Sequence, residues 1–565
     1  MLKLSLTLLL ACLLNLAFWF QQSRPVAVEP SWDKPLASAS FAPYRDGQSP
    51  LTQDYPPPEQ IAADLAALKG LVQGVRTYTS REGMEAVPRL AREYGMSVTH
   101  SAWLGVLKDI NEAEVAALIK AAHQYPDTIK RVIVGNEVLL RRDLPVDQLI
   151  AYIDRVRAAV EQPVSYADVW AFWLKYPQVA EHVDFITVHI LPYWEDEPAA
   201  IDDIDAHFAA ILQRMREAFP GKPILVGEAG WPSQGRSRGP ADATLVNAAR
   251  FVRTLPHLAE KYGFDYNVVE AFDQSWKSKL EGTVGARWGM IDAERRMKFP
   301  LTGPVPPLPD WPLRAALSLL AGLLPALLAW RRLAGWPASR LLAYALYGQF
   351  LGVLWTQGVV TAVELSFHTP ALLWASLRVL GLSLLLAVLL GAGWGTLNGS
   401  MPRLVSRLGP ALLGLYTLAA VVANALLAFD GRYRDVPLMD FLLPALGVCG
   451  LILLRRSGVG DWRRAAAFTV LFRGADAIPG GGGRTALWTI VLLLVSVLAA
   501  LGGEGFSIVG EDFTTVHPTF TEQLPLILAA TVSNREVLLW AAMLLLMTLP
   551  FAAERLRPKL VREPA

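Results

Sequence analysis

Between residues 313 and 553 the chain is built almost wholly of apolar runs, each close to the length that crosses a bilayer. They lie near 313–330, 341–363, 371–395, 408–428, 437–454, 486–502 and 537–552. About 20 apolar residues in a helix match a hydrocarbon core of roughly 30 Å, and lipid offers no partner to a free backbone N–H or C=O. This half is therefore restricted to helices. An eighth run, Leu4 to Phe20, follows Lys3. It reads as a cleaved signal or a retained anchor. Bulky Phe18, Trp19 and Phe20 stand where small cleavage-site residues would be needed, which favours the anchor. Leu9-Leu10-Ala11-Cys12 also resembles a lipoprotein signal, although the run continues past Cys12. All three versions put residue 31 onward outside the cytoplasm.

Basic residues orient the helices, because loops rich in Lys and Arg stay in the cytoplasm. With residues 31–303 outside, the inside segments carry Arg331, Arg332, Arg340, Arg403, Arg407, Arg455, Arg456, Arg463, Arg464, Arg473, Arg484, Arg555, Arg557, Lys559 and Arg562. The outside loops after residue 312 carry only Arg432, Arg434 and Arg535. Arg314, at the outer edge of its helix, is a minor exception. Glu364 and Arg378 fall within or beside apolar runs near the outer face, and mutual pairing or snorkelling is expected of them.

The preceding half is of another kind. Residues 31–303 hold most of the acidic groups, and Gly303-Pro304-Val305-Pro306-Pro307-Leu308-Pro309 closes them off as a stiff, extended linker. The segmentation is therefore 1–30 anchor, 31–303 soluble domain, 304–312 linker and 313–565 seven-helix membrane domain. Both cysteines, Cys12 and Cys449, lie in apolar runs, so the soluble domain has neither a disulfide nor a cysteine-ligated zinc. A net charge of +1 with no basic stripe gives no sign of a nucleic-acid partner.

Eight short apolar runs, near 38–43, 72–78, 96–102, 131–136, 164–169, 184–190, 223–228 and 266–272, alternate with amphipathic segments. These segments include Pro58–Lys69, Asn111–Gln124, Pro145–Glu161, Asp202–Phe219 and Asp242–Tyr262. Asn111 with Glu114 matches a capping-box spacing, and Asp242 precedes an apolar-periodic run. Eight strands alternating with helices fit an α/β fold of the (β/α)8 TIM-barrel type. An open doubly wound sheet is the alternative, and the missing Gly-rich loop after the first strand counts against it.

Active sites of such barrels lie at the C-terminal ends of the strands. Two strands, the fourth and the seventh, end in a carboxylate: Val134-Gly135-Asn136-Glu137 and Val226-Gly227-Glu228. A charge directly after a buried strand is costly unless it is used or paired. Two carboxylates facing one cleft are what glycoside cleavage needs, one protonated to release the leaving oxygen and one ionised to attack the anomeric carbon. The alternative is that each Glu only caps a helix or pairs with an Arg. Trp103, Trp170, Trp173, Trp231 and Trp276 also fall near strand tops. Singly each reads as core; as a set they suggest a groove on which sugar faces stack.

Val134-Gly135-Asn136-Glu137-Val138 and Val226-Gly227-Glu228-Ala229-Gly230-Trp231-Pro232-Ser233 resemble the two signature segments of glycoside hydrolase family 17. Tyr44-Arg45-Asp46-Gly47-Gln48-Ser49-Pro50, Gly74-Val75-Arg76-Thr77-Tyr78 and Glu270-Ala271-Phe272-Asp273-Gln274-Ser275-Trp276-Lys277, with Glu281 and Gly285 following, are similar to that family as well. The resemblance implies retaining chemistry on β-1,3-linked glucan, with Glu137 as acid/base and Glu228 as nucleophile. It implies that Asn136 contacts the hydroxyl beside the reacting carbon, and that Tyr44, Arg76, Tyr78 and Trp231 border the sugar. Plant members carry Asn-x-Tyr-Pro-Tyr on strand six, where this chain has His189-Ile190-Leu191-Pro192-Tyr193-Trp194. Tyr193 and Trp194 are the expected substitutes for the lost aromatic contacts. His189 reads equally as a core histidine or as a partner of a sugar hydroxyl or the nucleophile. Lys277 and Glu281 read as an ion pair at the subsite edge, and Trp231 and Trp276 as candidates for an acceptor platform.

No cofactor or metal constellation is apparent in the sequence. The architecture resembles bacterial membrane-bound family 17 proteins tied to periplasmic β-glucan assembly, which implies an inner-membrane enzyme with its catalytic domain in the periplasm. No Gln-x-x-Arg-Trp signature of a sugar-nucleotide transferase is found. Transfer that remodels, branches or cyclises a glucan, made by a separate membrane synthase, is therefore the expected activity. Tethered hydrolysis is the rival. A glucan-binding receptor or export component is the alternative of another class, and retention of both carboxylates argues against it.

Overall fold

The computed structural model describes residues 2–459, 461–474, 477 and 483–556. Arg557, Lys559 and Arg562, counted above among the inside basic residues, lie outside them. The chain folds as two compact units. One comprises Pro25–Pro306 together with Ile508–Gln523, the other Met1–Arg24, Pro307–Ser507 and Leu524–Ala565.

The first unit is a closed barrel of eight parallel strands in chain order. They are β1 (Ala39–Ser40), β2 (Gly74–Arg76), β3 (Ser97–Ala102), β4 (Ile129–Asn136), β5 (Val164–Val169), β6 (Ile186–His189), β7 (Ile224–Ala229) and β8 (Asp265–Val268). All eight expected runs form strands. They read as near-continuous apolar runs because a parallel barrel is covered on both faces, by helices outside and side chains within. Register shifts interrupt the ladders at the tops of β4 and β7, between Ile133 and Asn136 and between Val226 and Ala229. Such irregularities re-aim side chains at a rim, and here they adjoin Glu137 and Glu228.

The helices begin where local chemistry allows. Leu245–Tyr262 starts after Thr244, whose hydroxyl accepts from Asn247 N–H at 3.2 Å, and ends on left-handed Gly263. Asp242 is not the cap; its carbonyl accepts from Trp231 Nε1–H at 2.9 Å. The capping box at Asn111 does not form either, since the helix runs Lys108–Gln124 and contains Asn111. Asn111 instead exchanges two hydrogen bonds with Gly105, while Glu114 accepts from Thr79, Ser80 N–H and Trp103 N–H. Tertiary partners outcompete the cap. Within the stretch expected to be a stiff, extended linker, Val305 is fully buried and pairs antiparallel with Val26.

The second unit is helical. Seven of its described helices are long and apolar enough to cross a membrane: Leu2–Gln22, Trp311–Leu328, Thr369–Asn398, Arg403–Phe429, Leu438–Gly458, Arg484–Phe506 and Arg535–Arg555. The run expected at 341–363 forms Ala338–Glu364, 27 residues, but carries Tyr344, Tyr347, Gln349, Thr356 and Gln357 and does not meet that standard of hydropathy. It packs against Leu2–Gln22, Trp311–Leu328, Thr369–Asn398 and Leu438–Leu442, so protein rather than solvent receives its polar groups. Asn15 donates to Gln349 at 2.8 Å, and Trp19 Nε1–H donates to Ser318 at 2.8 Å. A methyl group on Gly322 would meet the Gly348 carbonyl at 2.7 Å, so glycines set how closely these helices approach. Glu364 and Arg378 do not pair with each other: Arg314 takes Glu364 at 2.8 Å, and Arg378 pairs with Asp440.

Candidate active site

Glu137 stands at the top of β4 in a left-handed conformation, with φ of 51°. Its backbone N–H donates to Ala167 O at 2.7 Å, and Gly135 just before it also has positive φ, 86°. A non-glycine residue held so costs about 1 kcal/mol or more, and such strain collects at functional positions. Glu228 stands on β7, where the Cα of its residue faces His189 of β6.

One imidazole joins the two carboxylates. His189 has no exposed side-chain surface; its Nδ1–H donates to Glu137 Oε1 at 2.8 Å, and its Nε2 lies 3.7 Å from Glu228 Oε1. The sequence left His189 open between core and site, and the structure makes the acid/base candidate its main partner. Donor atoms of Glu137, His189 and Glu228 all fall within 4.8 Å of one another, which among the described residues is the grouping compact enough to surround a cation. Arg76 already brings positive charge to that point. Its fully buried guanidinium lies 3.6 Å from Glu228 Oε1, donates to Gly227 O at 2.7 Å and to Asn136 Oδ1 at 2.6 Å, and covers the Tyr78 ring at 4.7 Å. The trio therefore reads as a reaction centre.

Burial pushes the Glu137 carboxyl up, but the His189 hydrogen bond and the charges of His189, Arg141 and Arg76 together hold it below the usual range. Neighbouring Asp168 on β5 moves oppositely. Burial and the negative charge of Glu137 push it up to about 7, against the hydrogen bond from Tyr166. Glu270, after β8, is also pushed up to about 7 by burial, with Lys277 pulling the other way. Lys277 donates to both Glu270 oxygens at 2.9 Å, so the ion pair expected with Glu281 forms with Glu270 instead. Glu281 remains close enough to raise Lys277 electrostatically. Asp168, Glu270 and Arg141 were not singled out from sequence. For Asp168 and Glu270 the signal was present, a carboxylate in or beside a buried strand.

The aromatic residues divide. Tyr193 and Trp231 are buried, with Tyr193 donating to Arg236 O and Trp231 packed on Phe251. They offer no ring face to a sugar and support the rim from beneath. Trp173 is likewise core, donating to Thr187 O at 2.9 Å, and Trp170 is nearly so. Trp194 is partly exposed, under the Arg238 guanidinium. Trp276 is partly exposed with its ring edge on Tyr44 at 6.1 Å, and Tyr78 is partly exposed with its hydroxyl on Ser40 at 2.8 Å. Trp103, 39% exposed, carries Arg141 at 4.2 Å. These four are the aromatic residues of the set that keep exposed surface; Asn136 and Tyr44 are buried.

Residues 38–289 match the family model of the BtgE/BtgC glycoside hydrolase domain. A glucan 1,3-beta-glucosidase of Schizosaccharomyces pombe is 30% identical over 276 residues, 46% of this chain and 83% of that protein. The chain belongs to glycoside hydrolase family 17. Another relative, the glucan 1,3-beta-glucosidase of Saccharomyces cerevisiae, is 25% identical over 45% of this chain and 87% of its own length. A solved family 17 beta-1,3-glucanosyltransferase from Rhizomucor miehei is 24% identical, spans 46% of this chain and 95% of that one, and superposes with a TM-score of 0.42. The family 17 match covers the barrel and stops before the apolar helices, so the barrel is a glycosidase domain joined to a helical unit of separate character.

Proposed function

We propose that this family 17 chain is a retaining β-1,3-glucan-active enzyme, held in the bacterial inner membrane with its barrel in the periplasm, that transfers glucan segments to acceptor glucan. The observation carrying the chemistry is that oxygens of Glu137 and Glu228 lie within 4.8 Å. Retaining glycosidases keep their carboxyls roughly 5–5.5 Å apart, whereas inverting ones leave roughly 6.5–9.5 Å for a water. The relatives named glucan 1,3-beta-glucosidase support the substrate.

Glu228, facing Arg76, attacks the anomeric carbon. Glu137 gives its proton to the departing oxygen. Burial is the largest influence on Glu137 and acts upward. A glucan seated on the pair removes more water, strengthens that influence and favours the protonated acid. In the second half Glu137 takes a proton from the incoming hydroxyl, from sugar or from water.

Membrane location is supported by large apolar residues on the outer faces of the helices, such as Leu373, Leu498 and Phe429, which in water would form aggregating patches. The hydrogen bonds of Asn15 and Trp19 inside the bundle support retention of the N-terminal helix. Incubating the full-length protein with reducing-end-labelled β-1,3-gluco-oligosaccharides tests the activity. Products longer than the substrate, or branched or cyclic, are expected. Only shorter products at every concentration would establish a tethered hydrolase.

A further inference from the structure

A short segment between the last apolar helices, Ile508–Gln523, belongs with the barrel. It meets three successive turns of the barrel's catalytic end. Glu511 pairs with Arg142, in the turn after β4, at 3.1 Å, and with Lys175, in the helix after β5. Asp196, buried in the loop after β6, accepts from Asp512 N–H at 3.1 Å and Phe513 N–H at 3.3 Å. His517 lies 3.0 Å from Glu197 of the same loop. Phe513 is 1% exposed, and any side chain on Gly510 would run into the Asp196 carboxylate. The exposed ion pairs contribute little by themselves; the buried ring and the Asp196 bonds hold the segment, and Glu511 sets its register.

The three turns have a chemical side. Protonation by Glu137 falls on the leaving sugar's oxygen, so on the proposed mechanism that oxygen sits next to the turn after β4. The turn after Glu137 is tight: Arg141 N–H donates to Glu137 O at 2.9 Å, Asp143 N–H donates to Val138 O at 3.0 Å, and Arg142 has φ of 59°. Its outer end is where Glu511 attaches. A cavity of about 200 Å3, bordered by Trp170, Glu195, His207, Asp512 and Phe513, lies between the segment and the barrel.

We propose that residues 508–523 are a positioning element of the catalytic site, bracing the turns after β4, β5 and β6 so that the leaving and acceptor side of the cleft holds several sugars in place. This rests on the retaining β-1,3-glucan reading above. It also gives the helical half, in which the segment is anchored at both ends by chain continuity, a means of acting on the reaction.

The test uses the full chain in detergent or nanodiscs, with Glu511→Lys, Phe513→Ala, and the charge-swapped Glu511→Lys/Arg142→Glu/Lys175→Glu. Release of an activated aryl β-glucoside's leaving group, which needs no extended leaving side, should stay within about twofold of the parent in both disrupting variants. On long β-1,3-gluco-oligosaccharides, kcat/KM should fall at least fivefold, and the charge swap should restore it for Glu511→Lys. Hydrogen exchange should quicken in residues 138–144, 170–176 and 192–198. Faster exchange with unchanged kcat/KM on long oligosaccharides would overturn the proposal, as would unchanged exchange. Equal loss on both substrates would reveal general destabilisation and also overturn it. A parent protein that turns over the aryl glucoside but no β-1,3-glucan defeats the substrate reading instead, leaving the exchange measurement to judge the bracing.

Discussion

At the scale of single residues, the proposed mechanism gives the two glutamates different jobs, so they should fail differently. Glu228→Ala removes the group that forms the glycosyl-enzyme, so turnover should vanish on every substrate. Glu137→Ala should cost about 10²–10⁴ on oligosaccharides, whose leaving oxygen needs a proton, and far less on an activated aryl glycoside. Steady-state rates on the two substrate types check this, and equal losses would sink the role assignment. His189 offers a second test. It lowers the Glu137 carboxyl against burial, so His189→Asn leaves burial less opposed and raises it. Activity that requires protonated Glu137 is lost as pH rises through that carboxyl's pKa, so the alkaline limb should move to higher pH in the variant. An unmoved limb in a pH–kcat/KM profile would remove His189 from the proton's surroundings. Both glutamates were legible because a charge after an apolar strand stands out. The burial of Tyr193 and Trp231 was not, since a ring's sequence position at a strand top does not say which way it points. Nor was the choice of Glu270 over Glu281 by Lys277, which depends on the turn between them.

At the scale of elements, the eight strands were readable because burial on both faces makes each a short apolar run. Helix starts were less so, as Asn111 and Glu114 show: a capping pattern is local, while the partners that captured both side chains lie in the loops after β2 and β3. Close packing between strands yields a sharper expectation. A methyl group on Gly227 of β7 would press on the Thr187 side chain of β6 and come within 3.1 Å of Arg76 Nη1. That guanidinium holds Gly227 O and Asn136 and faces Glu228. Gly227→Ala should therefore cost about 1–3 kcal/mol of stability through overpacking. It should also lower kcat/KM by about 10²-fold, because small misplacements of reacting groups are expensive. Thermal melts with kinetics on the same preparation would separate the two effects. Full activity in a folded variant would mean that Arg76 does not position Glu228.

At the scale of the whole molecule, chain path and charge bias are two independent arguments for the proposed topology. On the proposed topology, the bias puts Arg331 to Arg340, Arg403 and Arg407, and Arg455 to Arg484 on the side opposite the barrel. The second route is parity. Pro25–Pro306 and residues 508–523 belong to one compact unit, so on the proposed membrane location the chain between them must cross an even number of times. Five helices in that interval satisfy the length and hydropathy requirement: Trp311–Leu328, Thr369–Asn398, Arg403–Phe429, Leu438–Gly458 and Arg484–Phe506. Five is odd. The count closes only when Ala338–Glu364 crosses as well, and its polar residues are compatible with that because neighbouring helices surround it. A hydropathy standard stricter than the one met by the apolar run at 341–363 would omit this helix and, on the proposed topology, put residues 508–523 on the opposite side of the bilayer from the rest of their own compact unit. Reporter insertions at residues 310 and 515 should therefore give the same, external signal, and a fusion after residue 565 the opposite one. Opposite signals at 310 and 515 would exclude Ala338–Glu364 as a crossing helix, and with it the docking of residues 508–523 on the barrel.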